Sequence, residues 1–475
     1  MSFSSSTSSS QPKFRVAICG GGPGGLTLAV ALSKFNSSTS PLSIDLYESQ
    51  PEVATVGAGI AIWLRTQTIL KGLGIMDALK AEFRDEGGEG DLGIKFRKCD
   101  EPGGGYDFYT LQHPVHPLLI HRSALLKPLE LALSSSPSCT VHTSKKLVSY
   151  SYLSLSSSSF GNTNGPITLH FTDGTTAETD ILIGADGIRS SVRRGMFGHL
   201  YSRASLESGL SDQDVKLKQR VEPRWSGTVA YRALITKERL EGLRKSEGNK
   251  GGRNYLELRM PVSHLVVYPI SRGTVLNIVA FVTVPSAFST RQSYPDKSWV
   301  KDVDVQEFKD AFDGFEDEVG ELIQAVDAVS KWAIHIHGDM PRYVNEQGNV
   351  AILGDAAHAM ETHLGTGAGQ AMEDGYLLAR LLTHPLTTLS TLPTALKIYE
   401  RIRLPFVNGI VNTARRLGEL YEFEGIEVSK ADLGWVEKWG EEVKRSWGWQ
   451  WEGDAPERDW KVAEGMLKEA LAKGE

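Results

Sequence analysis

Cysteine is scarce in this chain. Only three of the 475 residues are cysteines, and Cys19, Cys99 and Cys139 are too scattered for a disulfide framework or a cysteine-rich metal site. We therefore expect the thiols to be buried or without a functional role, in a reducing compartment. The cytoplasm is the default location, and we expect no bound metal.

Long hydrophobic runs and an excess of positive charge are missing as well. No stretch approaches the ~18 consecutive apolar residues of a membrane span. The Ser-rich leader, residues 1–12, which we expect to be disordered, lacks the apolar segment of a secretory signal. The net charge of −7 disfavours a nucleic-acid surface, because phosphate binding needs clustered Lys and Arg. We therefore expect a globular protein with a small-molecule partner; a homodimer stays open, since no sequence feature indicates an interface.

Glycine is abundant, and its first cluster follows a short apolar strand. The run Phe14 to Cys19 is typical of a buried parallel strand, and Gly20, Gly22 and Gly25 then fill a GxGxxG pattern before a helix. A second predicted strand ends at Glu48, at the distance where an acidic side chain accepts from an adenosine ribose. This strand, turn, helix and strand predict dinucleotide binding.

Two later stretches repeat the pattern of a buried strand that runs into a loop. Ile181 to Ile183 leads into a loop with Asp186 and Arg189, and the strand in NVAILGD ends at Asp355. A glycine-rich loop, GTGAG at residues 365–369, then precedes a predicted helix. A nicotinamide-only dehydrogenase would explain the first glycine cluster but would leave these two stretches without a role.

The middle of the chain predicts a different architecture. Apolar residues alternate from about Arg224 to Val284, which predicts a largely antiparallel sheet with one face covered. Residues 140–180 also predict antiparallel strands around a Ser-rich turn, and residues 304–329 predict a helix. The expected divisions are a discontinuous nucleotide domain at 13–88, 113–200 and 346–420, a sheet domain at 89–112 and 201–345, and a helical tail at 421–475.

The tail holds six of the ten tryptophans among many charged residues. We expect its helices to pack on the body of the protein, with a partner surface as the alternative.

Together, GGGPGG with Glu48, GADGIRSSVR, and GDAAHA with GTGAGQAMEDG resemble the three fingerprints of the single-component (class A) FAD-dependent aromatic monooxygenases of the salicylate hydroxylase-like, hydroxybenzoate 1-hydroxylase-like type. The resemblance spans about residues 14–420. It implies that both glycine clusters bind one FAD, with NADH or NADPH as electron donor and O2 as co-substrate. The implied fold is α/β, a Rossmann-like FAD-binding domain interrupted by a mostly antiparallel β-sheet substrate domain, with C-terminal helices.

The resemblance also assigns residues to the cofactor. Asp355 is expected to accept from a ribityl hydroxyl, Arg122 to reach toward FAD, and Asp186 with Arg189 to serve both FAD and the nicotinamide donor. The full expected set is Gly20, Gly22, Gly24, Gly25, Glu48, Gly59, Arg122, Asp186, Arg189, Asp355, Gly365, Gly367, Ala368 and Gly369.

The chain departs from the family pattern at two places near the flavin. The family often has Pro-Asn after the GAGI of residues 57–60, whereas this chain continues through Trp63 and Arg65. Arg65 is a candidate carboxylate-binding group, with a surface arginine as the alternative. Thr362 stands where the family has a proline, so the fixed backbone φ of that residue is lost.

Candidates for contact with the substrate come from the sheet domain and the flavin loop. Tyr231 and Arg232 are adjacent on a predicted strand, so only one of them should face a cavity. Histidines accept protons near neutral pH, which makes His264 and His363 candidates for deprotonating a phenol, together with His335, His337 and Tyr268.

The resemblance implies decarboxylative hydroxylation of a hydroxybenzoate, salicylate or a substituted or prenylated 4-hydroxybenzoate, to a catechol or hydroquinone through a flavin 4a-hydroperoxide. Ring hydroxylation without decarboxylation and oxidative dearomatisation of a phenol are the alternatives on the same scaffold. A non-catalytic flavoprotein is the alternative from another class. A halogenase is disfavoured, because WGWQW lacks the Ile-Pro of the halogenase motif.

Overall fold

The structure is a computed structural model, and it describes residues 12–53, 59–80, 93–100, 104–152, 165–202, 209–246, 258–260, 263–284, 287–426 and 434–474. Nearly all of the predicted disordered leader, most of the Ser-rich turn after residue 152, and the first two residues of the GAG motif lie outside the described residues.

The strands are short, as expected for segments bounded by glycine, proline and serine. Their bounds are β1 Arg15–Cys19, β2 Ser43–Tyr47, β3 Gly59–Ile62, β4 Gly93–Lys98, β5 Tyr106–Gln112, β6 Leu118–His121, β7 Cys139–His142, β8 Leu147–Tyr152, β9 Ile167–Phe171, β10 Thr176–Thr179, β11 Ile181–Gly184, β12 Arg224–Thr236, β13 Leu258–Met260, β14 Ser263–Ile270, β15 Val275–Thr283, β16 Val300–Val303, β17 Val329–Ile336 and β18 Val350–Ile352.

The α-helices of the described residues fall mainly at the two ends of the chain. They are α1 Pro23–Phe35, α2 Leu64–Leu73, α3 Met76–Lys80, α4 Arg122–Ser134, α5 Ser191–Met196, α6 Asp212–Val221, α7 Lys237–Ser246, α8 Val305–Ala311, α9 Asp317–Gln324, α10 Asp355–His358, α11 Gly367–Thr383, α12 Leu392–Tyr421, α13 Gly434–Gly448 and α14 Ala455–Ala472. None of them is long and apolar enough to cross a lipid bilayer.

The first domain is built on a parallel sheet with strand order β18-β11-β1-β2-β7. Its central strand β1 is buried along Val16 to Cys19, because α1 and other helices cover the sheet faces. The prediction of an antiparallel strand near residue 140 is wrong: β7 pairs parallel with β2, and the antiparallel group is β8, β9 and β10. The first domain is thus a Rossmann-like α/β layer assembled from distant parts of the chain.

The second domain is an eight-stranded sheet with strand order β16-β17-β12-β15-β14-β13-β4-β5. All neighbouring pairs except β13 with β4 are antiparallel, in agreement with the predicted mostly antiparallel sheet. One face packs against α8 and α9, where Tyr231 of β12 contacts the rings of Phe308 and Phe312. The single helix predicted for residues 304–329 is instead these two helices, because Gly314 takes a positive φ of 85° between them.

The opposite face of the sheet carries a second apolar row. Val279, Phe281, Ile334 and Ile336 cluster there, with Trp332 packed against them. This row, the sheet wall, faces the first domain across a cleft. Helices α13 and α14 cover the other end of the molecule and bury Trp439, Trp447 and Trp460.

Candidate active site

A cleft of about 1670 Å³ runs between the parallel sheet and the sheet wall. A single small ligand occupies a pocket of roughly 300–1,000 Å³, so this cleft has room for a large cofactor and a substrate together. Residues of all three glycine-containing motifs line it. The motifs that are far apart in sequence therefore converge on one binding site.

The first motif forms a tight turn at the end of β1. Gly20 has a φ of 111°, and a Cβ atom there would lie 2.1 Å from the carbonyl oxygen of Ala185, so only glycine fits. A Cβ on Gly22 would meet only Nη2 of Arg122, at 3.8 Å, so this side of the turn is open to the cleft. Helix α1 begins directly after it, and its first amides have no partner within the helix. This is the geometry that a pyrophosphate requires.

Glu48 lies beside this turn and is held in place. Its Oε2 accepts from the amide of Gly21 at 2.7 Å, and its Oε1 accepts from the amide of Gln50 at 2.8 Å. The carboxylate lines the cleft, where a ribose hydroxyl could donate to it.

The second anchor is built after β18. Asp355, the first residue of α10, is exposed and lines the cleft. Gly365 then adopts a φ of 57°, and α11 begins at Gly367 without a side-chain cap, which leaves the amides of Gly367 and Ala368 available to a ligand. Gly369 faces away, since a Cβ there would lie 2.7 Å from Oγ1 of Thr66.

The middle motif supports the cleft as well as lining it. The carboxylate of Asp186 accepts from the hydroxyl of Ser190 at 2.5 Å and the amide of Ser191 at 2.7 Å, at the start of α5. Burial raises the pKa of Asp186, and these hydrogen bonds oppose the rise. The guanidinium of Arg189 lies 4.0 Å from the ring centroid of Trp299, which stacks at 3.6 Å on His335. Arg189 therefore forms part of an aromatic side of the cleft.

Arg193, which the sequence analysis missed, ties the middle motif to the second anchor. Its Nη1 donates to the carbonyl of Ala356 at 2.8 Å, and its Nη2 donates to the carbonyl of Ile188 at 2.5 Å. Nothing in the local sequence distinguishes this arginine from its neighbour Arg194.

A group of buried charges lies behind the flavin loop, and we call it the inner cluster. It comprises Arg65, His358, Glu373, Asp374 and Arg403. Nε of Arg403 and Nε2 of His358 bond to Asp374 at 2.7 and 2.6 Å. Burial alone would raise the pKa of Asp374, but the interactions with His358 and Arg403 outweigh burial and hold it at about 2.

The prediction that Arg65 binds a substrate carboxylate is wrong. Its Nη2 donates to Glu373 at 2.7 Å, a second contact joins it to Asp459, and the side chain is only 4% exposed. It does not line the cleft, because α2 turns it toward α11 and α14. The surface alternative is also wrong, since the guanidinium is buried and forms an ion pair with Glu373.

The alternation on β12 places Arg232 in the cleft and Tyr231 behind the sheet. The hydroxyl of Tyr231 donates to Glu307 at 2.9 Å on the α8 side, which takes it out of contact with any substrate in the cleft. Arg232 lines the cleft with its guanidinium 4.8 Å from the ring centroid of Trp332. Burial lowers the pKa of Arg232, and among the described residues its buried Nε has no hydrogen-bond partner.

Tyr268 lies next to Arg232 on the same wall. Burial raises the pKa of Tyr268 to about 12, although the charge of Arg232 opposes this, so the phenol stays protonated and able to donate. A Cβ on Gly59 would lie 2.9 Å from its hydroxyl, so Tyr268 also touches the strand that ends the GAG motif.

The predicted histidines differ in their access to the cleft. His363 lines it, and so does His335. His264 is fully buried behind Phe281, with its Nδ1 3.1 Å from Oε1 of Glu422, and it does not line the cleft. His337 is buried too. Direct contact with substrate is therefore open to His363 and His335 but not to His264.

Aromatic residues from opposite ends of the sequence close one side of the cleft. Trp63 and Trp447 both line it, with ring centroids 5.1 Å apart. The indole nitrogen of Trp63 is buried, and within the described part of the chain it has no hydrogen-bond partner. The tail thus contributes to the site through Trp447, a role that its sequence gave no sign of. Among the described residues, no group of three or more His, Cys, Asp or Glu side chains is arranged to hold a metal ion.

Comparison with known proteins agrees with this geometry. A family model described as "FAD binding domain" matches residues 13–235 and 261–414. A salicylate hydroxylase of Pseudomonas putida is 31% identical over 96% of this chain and 95% of its own length. The 6-methylsalicylate 1-monooxygenase atA of Aspergillus terreus is 29% identical over 91% of this chain and 89% of its own length.

A solved structure described as a salicylate hydroxylase substrate complex superposes with a TM-score of 0.74 at 27% identity, covering 95% of this chain and 98% of the other. The expected α/β fold and the expected cofactors are thereby confirmed: FAD, with NADH or NADPH and O2 as the usual co-substrates of the class. The open turn at Gly22, the exposed Asp355 and the uncapped start of α11 fit a flavin dinucleotide in the cleft. The chain belongs to the FAD-binding monooxygenase family, and it is a class A FAD-dependent aromatic monooxygenase.

Proposed function

We propose that this enzyme hydroxylates a phenolic acid at the carbon that bears the carboxylate. In the balanced reaction, a hydroxybenzoate, O2, NAD(P)H and two protons give a dihydroxybenzene, CO2, NAD(P)+ and water. One oxygen atom of O2 enters the ring and the other leaves as water, while the ring's bond to the carboxylate carbon breaks.

The observation that carries this proposal is the position of Arg232. A buried guanidinium with an unpaired Nε is costly unless a ligand supplies the missing charge. Arg232 faces the cleft, and the protonated Tyr268 stands beside it as a second donor. An anionic group of an aromatic acid, its carboxylate or its phenolate, fits these two donors.

The rest of the sheet wall suits an aromatic ring. Val279, Phe281 and Ile334 present an apolar surface to the cleft, and Trp332 lies beside Arg232. A ring held against this wall is shielded from water, which strengthens the ion pair to Arg232. The names of two relatives, salicylate hydroxylase and 6-methylsalicylate 1-monooxygenase, refer to aromatic acids of this class.

FAD, when bound and reduced by NAD(P)H, supplies the electrophilic oxygen derived from O2. For its binding we propose the turn at Gly20, Gly22, Gly24 and Gly25, together with Glu48, Arg122, Asp186, Asp355 and the loop from Gly365 to Ala368. Gly59 and Arg189 line the part of the cleft between this set and the sheet wall. Arg189, on Trp299, is also a candidate for contact with the nicotinamide donor.

The test is oxidation of NADH and of NADPH by the FAD-loaded protein with a panel of phenols. The panel contains salicylate, 4-hydroxybenzoate, a 3-prenylated 4-hydroxybenzoate, 3-hydroxybenzoate and a resorcylic aldehyde, and both CO2 and product mass are recorded. We expect a phenolic acid to stimulate oxidation with one CO2 released per dihydroxybenzene formed. Oxygen insertion without CO2 would instead assign ring hydroxylation or dearomatisation, and no stimulation by any phenol would refute the proposed substrate class.

A further inference from the structure

Glu361 is a buried carboxyl group at the cleft that the flavin motifs do not explain. It precedes the turn at Thr362–Leu364, is 5% exposed, and lines the cleft next to Met360. Its Oε1 lies 3.6 Å from Nη1 of Arg415, and its Oε2 lies 3.6 Å from Nε2 of His363. Both distances are longer than a hydrogen bond.

The charged groups that act on Glu361 come from two parts of the chain. Helix α12 contributes Arg415 and Glu419, Glu422 directly follows the helix, and Arg224 approaches from β12. Burial raises the pKa of Glu361 to about 7; Arg415 and Arg224 oppose the rise, whereas the two neighbouring carboxylates add to it. Glu361 therefore exchanges its proton in the neutral range, where an ordinary glutamate is fully ionised.

His363 and His264 extend this arrangement into the protein. The ring of His363 lies 5.0 Å from that of His264, whose Nδ1 is 3.1 Å from Oε1 of Glu422. Glu422 also accepts from the hydroxyl of Thr283 at 2.9 Å. The titratable groups thus form a row that begins at the cleft with Glu361.

We propose that Glu361 is the group in this cleft that accepts the hydroxyl proton of the aromatic substrate. The inference rests on the proposed function, because it requires a phenolic substrate. The proton moves from the phenol oxygen to a carboxylate oxygen of Glu361, and the electron pair of the O–H bond stays on the phenol oxygen. The ring becomes more electron-rich at its ortho and para carbons, which favours attack by an electrophilic oxygen.

The sheet register separates Glu361 from Arg232. Arg232 pairs with Val279, and Phe281 lies two residues further along β15, a step of about 7 Å on the wall. The ring of His363 is 5.0 Å from Phe281, so Glu361, next to His363, lies beyond the row of Arg232. A ring with its carboxylate at Arg232 and its hydroxyl at the opposite edge spans these two groups. The arrangement therefore favours a para-hydroxybenzoate over salicylate, whose two groups are adjacent.

The experiment compares ligand binding by the wild-type holoenzyme, Glu361→Gln and Glu419→Gln. Glu419 contacts the same Arg415 at 3.6 Å but lies on the surface side of α12, so it controls for loss of a charge near that arginine. The absorbance change of the bound flavin is titrated with 4-hydroxybenzoate and with 4-methoxybenzoate, which lacks the proton, at pH 5.5 to 9. These titrations need no turnover.

In the wild type, we expect the preference for the hydroxyl over the methoxy ligand to rise about tenfold from pH 6 to pH 8, as Glu361 ionises. Glu419→Gln should show the same rise, shifted toward lower pH, because one of the carboxylates that raise the pKa of Glu361 is gone. In Glu361→Gln the preference should not change with pH, and kcat should fall about 100-fold, the usual contribution of a positioned base. Glu361→Asp should restore the pH dependence with a partial recovery of kcat.

A pH-dependent preference that survives in Glu361→Gln, or a kcat within threefold of wild type, would overturn the proposal while leaving the proposed function intact. Tighter binding of salicylate than of 4-hydroxybenzoate would overturn the para assignment. Absence of binding and of stimulated oxidation with every phenolic acid in the wild type would refute the proposed function itself and Glu361's role with it.

Discussion

The inner cluster and the cleft hold charged groups of the same kinds in opposite situations. In the inner cluster each carboxylate bonds to a guanidinium or an imidazole, and Arg403 alone contacts both Asp374 and Glu373. In the cleft, Arg232 has an unpartnered Nε within the described residues, and the contacts of Glu361 are as long as 3.6 Å.

This difference distinguishes the charged groups that stabilise the fold from those that are available to bind a ligand. A buried ion pair that is fully bonded recovers much of its desolvation cost, and removing one partner is destabilising. A buried charge without a partner lowers stability in the free protein and recovers that free energy only when a ligand binds. The comparison predicts opposite consequences for substitutions in the two regions.

The largest loss of stability is expected from Arg403→Leu. The substitution leaves Asp374 and Glu373 buried with fewer partners, so the free energy of unfolding should fall by about 3–5 kcal/mol. Urea unfolding of the holoenzyme followed by circular dichroism measures this. Arg416→Leu on the same helix, which breaks an exposed pair with Glu442, should cost less than about 1 kcal/mol. Equal losses in the two variants would show that the buried ion pairs of the inner cluster stabilise the fold no more than an exposed pair does.

Glu361→Gln should raise the free energy of unfolding rather than lower it, and the size of this effect should depend on pH. The pKa of Glu361 is raised in the folded state to about 7, so the folded protein binds more protons than the unfolded chain between about pH 4.5 and 7. The wild type therefore loses stability as pH rises through this window, by up to about 3 kcal/mol at pH 8. Glutamine has no proton to lose.

The variant should thus be more stable than the wild type at pH 8 and equal to it near pH 4.5, as measured by thermal unfolding at both values. A stability difference that is the same at both pH values would show that Glu361 does not titrate in the folded protein.

Substitution of one arginine from each region, Arg232 in the cleft and Arg65 in the inner cluster, tests the comparison through substrate binding. The expected change in binding free energy is slightly smaller than the changes in stability above. Arg232→Met should raise the KM for an anionic phenol about 100-fold, roughly 3 kcal/mol, and leave the melting temperature unchanged or higher. Arg65→Met should lower the melting temperature and leave KM unchanged, because Arg65 contacts Glu373 and not the cleft. A rise in KM in the Arg65 variant alone would reverse both assignments.

The backbone-determined part of the site could be predicted from sequence. Gly20 is required by a positive φ and a close carbonyl, and such constraints leave a visible pattern of glycines between strands. The side-chain-determined part could not. Arg65 follows a flavin motif and still turns inward, because the partner that decides its direction, Glu373, stands 308 residues away.

Glu361 was missed for a related reason. Its neighbours in sequence are part of a cofactor motif, whereas its altered proton affinity comes from burial and from α12, which no local pattern reports. On β12 the period of two did predict that Tyr231 and Arg232 face opposite sides, but the choice between them needed the packing of α8 on one face.

The strand order of the parallel sheet has a consequence for how the enzyme matures. Strand β1 leads into the first glycine turn, and it pairs with β11, which lies far along the chain. The hydrogen bond from the amide of Arg15 to Oδ2 of Asp180 joins residues 165 positions apart. Strand β18, which delivers Asp355, docks onto β11 from still further along the chain. Contacts at such separations form slowly, and FAD stabilises only the assembled state. The yellow colour of bound flavin, followed during refolding, should therefore report the docking of β18 rather than formation of the first strand and helix.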